Sequence, residues 1–168
     1  MAGAGKTLLA GQMHGRDREL VFEIPCESRS VEVDAITAGE WTKLVRVRPG
    51  QAGFRTKGEI DTFEDNKSLE GVIHVVDFGY VTPRDPVVRD TLISKDGIDT
   101  VEKLRARNLR LEIEDLKVLL TDIRRLQSKH GTPKWLVIAA NKVDLFASDR
   151  QKALNHYHPD GTGSSVVF

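Results

Sequence analysis

The chain has 168 residues, 39% of them hydrophobic, and its 25 basic side chains balance 25 acidic ones. This balance gives no electrostatic case for binding nucleic acid or an anionic membrane. No apolar run approaches the roughly 20 residues that a membrane-spanning helix needs. The single cysteine, Cys26, cannot form an internal disulfide, and no secretory signal begins the sequence. We therefore expect one soluble, cytoplasmic domain over residues 1–168.

Helical and strand-like patterns alternate along the chain. Residues Lys6 to Met13 suit a helix, and Ser30–Ile36 and Trp41–Val47 show the partial alternation of two strands joined by a turn. The segments Gly71–Asp77 and Lys134–Ala140 are nearly continuous apolar runs. Such runs are typical of parallel strands that helices cover on both faces.

The second half is dominated by a long helix, predicted from Thr100 to about Ser128. An apolar stripe at helical spacing defines it, formed by Val101, Leu104, Leu111, Leu116, Leu119, Leu120, Ile123 and Leu126. Its charged face is interpreted as solvated surface, with binding of a partner helix as the alternative. Phe78–Gly97 reads as a loop-rich insertion and Ser164–Phe168 as a last strand. The fold class is α/β, with a mostly parallel sheet and one antiparallel edge strand.

The first chemical motif is Gly3-Ala4-Gly5-Lys6-Thr7. Glycines let backbone amides converge on a phosphate at the N-terminus of a helix, where the helix dipole is positive. Lys6 would then reach the β and γ phosphates of a nucleotide, and the Thr7 hydroxyl would bind Mg²⁺. A flexible glycine-rich tail is the alternative interpretation.

The second motif, Asn141-Lys142-Val143-Asp144, directly follows the apolar run that ends at Ala140. A carboxylate at Asp144 can accept hydrogen bonds from the N1–H and the exocyclic amine of guanine, a donor pair that adenine lacks. Asn141 would brace the loop, and the aliphatic stem of Lys142 would lie on the plane of the base. The motif therefore predicts guanine specificity.

A third element, Pro49-Gly50-Gln51, follows the second predicted strand. Gly50 would donate its amide to the γ phosphate, and Gln51 would orient an attacking water. A Pro-Gly pair followed by Gln is also an ordinary turn. The two histidines near the C-terminus, His156 and His158, are interpreted as surface loop residues rather than as a metal site.

With its three elements in this order, the chain resembles a small Ras-like GTPase from Gly3 to about Phe146, and the Pro-Gly-Gln form is similar to that of bacterial polarity and gliding GTPases. The resemblance implies the three-layer fold of P-loop NTPases, GTP or GDP with Mg²⁺ as cofactors, and Thr7 and Ser28 as magnesium ligands. Val47 stands where the family has an aspartate that steadies Mg²⁺. The family's first strand would precede Met1, so the chain is expected to be incomplete at its N-terminus, and also at its C-terminus.

The leading functional hypothesis is a GTP-binding switch with slow hydrolysis, in which Gln51 and Lys6 are catalytic and a protein effector or activating partner is engaged. The alternative is a non-enzymatic, degenerate GTPase-like interaction module. An ATP-dependent P-loop enzyme is a third hypothesis, against which Asp144 argues. A homo-oligomer formed by strand exchange stays open.

Overall fold

A computed structural model of the protein describes residues 3–13, 31–38, 40–48, 67–83 and 85–158. The chain divides into two compact units, and the boundary falls between Leu69 and Glu70. The fold is mixed α/β: within the described ranges, one pair of strands is antiparallel and another pair is parallel. This agrees with the predicted α/β class.

The first unit contains a helix and a hairpin. Its elements are α1 (Lys6–Met13), β1 (Glu32–Ala38) and β2 (Trp41–Val47). The two strands pair antiparallel, with Glu32 opposite Val47. The predicted helix and hairpin are therefore confirmed, although β1 lies two residues later than the alternation predicts. The start of the predicted strand, Ser30, lies outside the described residues.

The second unit is built on a parallel pair of strands joined through a long helix. Its elements are β3 (Gly71–Val76), α2 (Pro86–Ser94), α3 (Val101–His130), β4 (Trp135–Ala140), a 3₁₀ segment (Val143–Asp149) and α4 (Arg150–Tyr157). In the parallel register Gly71 lies opposite Trp135 and Val76 opposite Ala140. The carboxyl ends of both strands therefore meet at one edge, and the segments 77–80 and 141–144 both begin there.

Helix α3 confirms the predicted long helix and has the expected caps. The Thr100 side chain accepts a hydrogen bond from the amide of Lys103 at 3.2 Å, and Gly131 ends the helix with a φ of 70°. Its buried apolar side chains are Leu116, Leu119, Leu120, Ile123 and Leu126.

Two departures from the predicted helix surface matter for the site. Val101, which the periodicity places in the apolar stripe, is 69% exposed. Asn108 and Glu112 are buried, so the polar residues of α3 are not all solvated surface. The reason is that Glu112 lies four residues before Leu116 and therefore on the same face of the helix.

The segment 78–97, predicted to be loop-rich, contains helix α2. The Asp85 side chain accepts a hydrogen bond from the amide of Val87 at 2.8 Å, which caps the helix, and Pro86 follows at its start. An aspartate at the N-cap with a proline at the first helical position is a favoured helix beginning. Pro86 therefore begins a helix inside the segment that was expected to be loop-rich.

The described strands pair within each unit. Among the described residues they form two separate pairs, one in each unit. Strands β1 and β2 are consecutive in the chain, whereas helices α2 and α3 lie between β3 and β4. On strand β4, the side chains of Trp135 and Val137 are about half exposed.

The core beside the strand ends is aromatic. Val76, Phe78, Phe146, Ala153 and Tyr157 form one buried cluster. In the part of the chain that the structure describes, no helix is long and apolar enough to cross a membrane. The predicted last strand, Ser164–Phe168, lies outside the described residues.

Candidate functional site

The Asn-Lys-x-Asp segment lies at the carboxyl edge of the parallel pair. The amide of Asn141 donates to the carbonyl of Val76 at 2.8 Å, which ties the segment after β4 to the end of β3. The amide of Leu145 donates to the carbonyl of Lys142 at 2.9 Å and closes the first turn of the 3₁₀ segment. The Asp144 side chain is exposed at this edge. In open α/β sheets, ligands bind outside the carboxyl ends of the strands.

Lys142 has an unusual backbone and a buried partner. Its φ of 57° and ψ of 36° are left-handed, which costs a residue other than glycine about 1 kcal/mol or more. Its Nζ atom lies 2.7 Å from Oδ2 of Asp77, whose side chain is completely buried. A charge-assisted bond of this length is a strong one. The ion pair therefore holds the ammonium group of Lys142 beside the end of β3.

Asp77 belongs to a buried polar network. The Oε1 atom of Glu112 accepts hydrogen bonds from the amides of Asp77 at 3.3 Å and Gly79 at 3.2 Å. Its Oε2 atom accepts from the hydroxyl of Tyr157. One turn earlier on α3, Asn108 donates to the carbonyls of Gly79 at 3.0 Å and Val81 at 2.8 Å. Helix α3 thus holds the segment after β3 through both its donors and its acceptors.

The pKa of Glu112 is raised from its ordinary value of 4.5 to about 7, mainly by burial; the hydrogen bond from Tyr157 opposes the rise and the neighbouring Asp77 carboxyl adds to it. The Oδ1 atom of Asp77 has no hydrogen-bond partner among the described residues. Burial and the Glu112 carboxyl also raise the pKa of Tyr157. Near pH 7, the Glu112 carboxyl is therefore only partly ionised.

Aromatic rings pack against the 3₁₀ segment. The rings of Tyr80 and Phe146 stack with centroids 5.6 Å apart, and Phe78 packs against Phe146 at 5.3 Å. The guanidinium of Arg105 lies 4.5 Å from the centroid of Phe78 and 4.7 Å from that of Tyr80. These contacts fix the 3₁₀ segment that carries Asp144.

His156 differs from its interpretation as a loop residue. It lies in helix α4, half buried, with its ring 5.8 Å from that of Phe78. Burial and then the charge of Arg105 lower its pKa. Within the ranges that the structure describes, no group of three or more His, Cys, Asp or Glu side chains could hold a metal ion.

The turn from Asp77 to Tyr80 depends on glycine. Its central residues Phe78 and Gly79 have φ angles of 53° and 82°, and the amide of Tyr80 donates to the carbonyl of Asp77 at 3.1 Å. A Cβ at Gly79 would lie 2.9 Å from the backbone oxygen of Arg105. Both the backbone conformation and the space therefore exclude a side chain here.

We expect Gly79→Ala to lower the free energy of unfolding by about 3 kcal/mol, because left-handed strain and a clash with the α3 backbone add up. Gly97→Ala is the matched control: Gly97 has a φ of 64° but nothing within 4 Å of the added Cβ. The control should lose only about 1 kcal/mol, the cost of the left-handed backbone alone. Urea unfolding measures both, and equal losses would show that the clash has no effect.

In the first unit, the glycine motif leads directly into a helix. Gly3 and Gly5 have φ angles of 80° and 88°, and α1 begins at Lys6. The amide of Leu9 donates to the carbonyl of Gly5 at 2.9 Å, and the Ala4 side chain is buried. The expected loop followed by a helix N-terminus is therefore present. Free backbone amides at the start of a helix favour an anion.

Thr7 has a carboxylate neighbour that the sequence reasoning missed. Its hydroxyl donates to Oε2 of Glu32, the first residue of β1, at 3.3 Å. Val47, which stands in place of the family's aspartate, is buried at the end of β2 and lies opposite Glu32 in the hairpin register. A hydroxyl and a carboxylate are oxygen donors of the kind that Mg²⁺ prefers.

The remaining predicted site residues, Gly50, Gln51 and Ser28, lie outside the described residues. The structure brings Asn141, Lys142 and Asp144 together in the second unit and Gly3, Ala4, Gly5, Lys6 and Thr7 together in the first. Sequence reasoning missed Asp77 and Glu112 as members of a polar network. The available signals were a carboxylate at a strand end and a carboxylate on an apolar helix stripe. Comparison with protein-family models, curated proteins and solved structures finds no match to this chain.

Proposed function

We propose that this chain is a guanine-nucleotide-binding switch with a P-loop NTPase fold, and that it slowly hydrolyses GTP to GDP and phosphate. The observation that carries the proposal is the Asn141–Asp144 segment at the carboxyl edge of the parallel pair, where its Lys142 is tied to a buried carboxylate and its Asp144 side chain is exposed. This edge is where open α/β sheets bind ligands.

Each motif has a role that its chemistry supports. Asp144 would accept both guanine donors, whereas adenine would leave its carboxylate unpaired. The glycine-rich loop and Lys6 would hold the phosphates at the start of α1. Gln51 would orient a water that attacks the γ phosphorus, and the bond to the oxygen bridging the β and γ phosphates would break. The state of the nucleotide would then change the surface offered to a protein partner.

Magnesium binding would use Thr7 together with Glu32. The Thr7 hydroxyl and the Glu32 carboxylate already contact each other at 3.3 Å. Mg²⁺ would neutralise negative charge on the phosphates when bound. Glu32 would thereby supply the carboxylate that Val47 cannot provide.

Mg²⁺ should increase the affinity for GDP relative to the affinity measured in EDTA. We expect Glu32→Gln to reduce this increase by about tenfold, because an amide oxygen is a weaker magnesium ligand than a carboxylate. Glu40→Gln, in the exposed turn of the same hairpin, is the control and should keep the wild-type gain. Fluorescent GDP titrations with and without Mg²⁺ measure both. An unchanged gain in Glu32→Gln would contradict the assignment of Glu32.

Thermal unfolding with added nucleotide tests the proposed function. A ligand at about 100 times its dissociation constant raises the free energy of unfolding by about 2.7 kcal/mol. GDP and GTP should raise the melting temperature and ATP should not, and phosphate release from GTP should be slow. No stabilisation by any nucleotide would overturn the proposal.

A second candidate is a non-enzymatic interaction module. The exposed apolar side chains of Trp135 and Val137 on β4 favour it, because large apolar side chains on one strand are costly to leave in water. The same nucleotide experiment separates the two candidates, since an interaction module needs no guanine-selective stabilisation.

A further inference from the structure

The side chain of Lys142 contacts the segment that follows β3. Its Nζ atom lies 2.7 Å from Oδ2 of Asp77, and the next contact is to the carbonyl of Tyr80 at 3.5 Å. The ammonium group is thus directed inward, toward the end of β3, while the backbone of Lys142 is left-handed. The aliphatic stem of Lys142, which joins the ammonium group to the backbone, is therefore constrained at both ends.

The anchor itself cannot move freely. Asp77 is 0% exposed, and its amide donates to Glu112 of α3. The residue two positions on, Gly79, is held by Glu112 through its amide and by Asn108 through its carbonyl. The carboxylate that receives Lys142 therefore belongs to a segment fixed at several points by a 30-residue helix.

The ion pair joins the two strand ends at the candidate base-binding edge. Asp77 follows β3 and Lys142 follows β4, so the pair bridges the segments 77–80 and 141–144 in the same place where the amide of Asn141 bonds to Val76. A buried ion pair adds little stability over a well-packed apolar pair, because desolvation opposes the attraction between the charges. Its more specific consequence is the fixed orientation of Lys142.

We propose that Asp77 is a positioning residue of the guanine-binding loop: through Lys142 it holds residues 141–144 in the conformation that receives the base. This inference rests on the proposed function and adds a residue that does not touch the nucleotide. A loop ordered before the ligand arrives loses less conformational entropy on binding. The contribution of Asp77 to guanine affinity therefore requires the ammonium group of Lys142.

A double-mutant cycle on GDP affinity tests this dependence. Asp77→Asn and Lys142→Met should each weaken GDP binding by about tenfold, and the double variant should bind no more weakly than Lys142→Met alone, because residues that act through one contact are not additive. Losses that multiply in the double variant, or wild-type affinity in Asp77→Asn, would overturn the proposal. Affinities are measured by fluorescent GDP titration at a temperature where urea unfolding shows each variant folded.

The control is Asp99→Asn, which removes a carboxylate that pairs with Lys103 at 2.6 Å on the exposed start of α3. It should keep wild-type GDP affinity, and a loss equal to that of Asp77→Asn would show that the assay responds to any lost carboxylate.

A second variant covers the case in which Asp77→Asn does not fold. Lys142→Arg keeps a positive charge for Asp77, so it should bind GDP more tightly than Lys142→Met, which loses about tenfold. Equal affinities of Arg and Met variants would mean that only the aliphatic stem matters, which overturns the role of Asp77. If the wild-type chain shows no guanine-selective binding, the proposed function itself fails. If the wild-type chain binds guanine nucleotide and the variants do not behave as stated, only the role of Asp77 fails.

Discussion

Asp144→Asn is expected to change the base preference of the chain from guanine to xanthine. The carboxylate accepts from two neighbouring guanine donors, whereas an asparagine amide offers one acceptor and one donor, which matches the N1–H and the C2 carbonyl of xanthine. The affinity for GDP should fall about 100-fold or more, because the substituted amide faces the exocyclic amine with a donor. Binding of xanthosine diphosphate should appear in the same variant.

Competition of GDP and xanthosine diphosphate against a fluorescent nucleotide measures this exchange. Asp149→Asn is a matched control at the end of the same 3₁₀ segment, where the carboxylate pairs with Lys152 at 2.8 Å. It should keep the guanine preference. If Asp144→Asn still prefers GDP, Asp144 does not read the base.

The second large effect concerns stability and pH, and it depends on Glu112. Its pKa is about 7 in the fold and 4.5 as an ordinary carboxyl, so between these values the folded state holds a proton that the unfolded state releases. The free energy of unfolding therefore falls as pH rises from about 4.5 to about 7, by on the order of 3 kcal/mol from this group alone. The stabilisation is complete below pH 4.5 and lost above pH 7.

Glu112→Gln should remove this slope, because the amide is neutral at every pH and has a similar shape. His156 has the opposite effect on the pH dependence of stability. Its pKa is lowered in the fold, so as pH falls the unfolded state binds a proton before the folded state does. The contribution of His156 to the free energy of unfolding therefore increases with pH. The contribution of Glu112 is therefore the difference between wild type and variant. Urea unfolding from pH 4.5 to 8 measures it.

Glu114→Gln is the control for Glu112→Gln, since Glu114 lies on the exposed face of the same helix and pairs loosely with Arg110 at 3.9 Å. Its pH dependence should follow the wild type. A wild-type slope retained in Glu112→Gln would contradict the assignment of the proton to Glu112.

Local patterns predicted most of the elements, because periodicity and end signals act over a few residues. Helix α1 has the predicted bounds, and α3 differs from its prediction by only a few residues at the ends. The prediction of a loop-rich segment over 78–97 is wrong at α2 for a local reason as well, since a proline preceded by aspartate starts a helix.

The polar network could not be predicted in the same way. Glu112 and Asp77 are 35 residues apart, and nothing in either neighbourhood indicates that a helix carboxylate accepts the amides after β3. The pairing of Lys142 with Asp77 spans 65 residues and depends on the parallel register of β3 and β4. The motif predicted which residues matter at 141–144, and only the tertiary fold shows what holds them.

Calorimetric titration of the wild-type chain with GDP and with ADP, both in the presence of Mg²⁺, tests the central claim most directly. Guanine recognition through Asp144 predicts saturable binding of GDP with one nucleotide per chain and no detectable heat from ADP. Equal binding of the two nucleotides would contradict recognition of the base, and binding of neither would contradict a nucleotide-dependent switch.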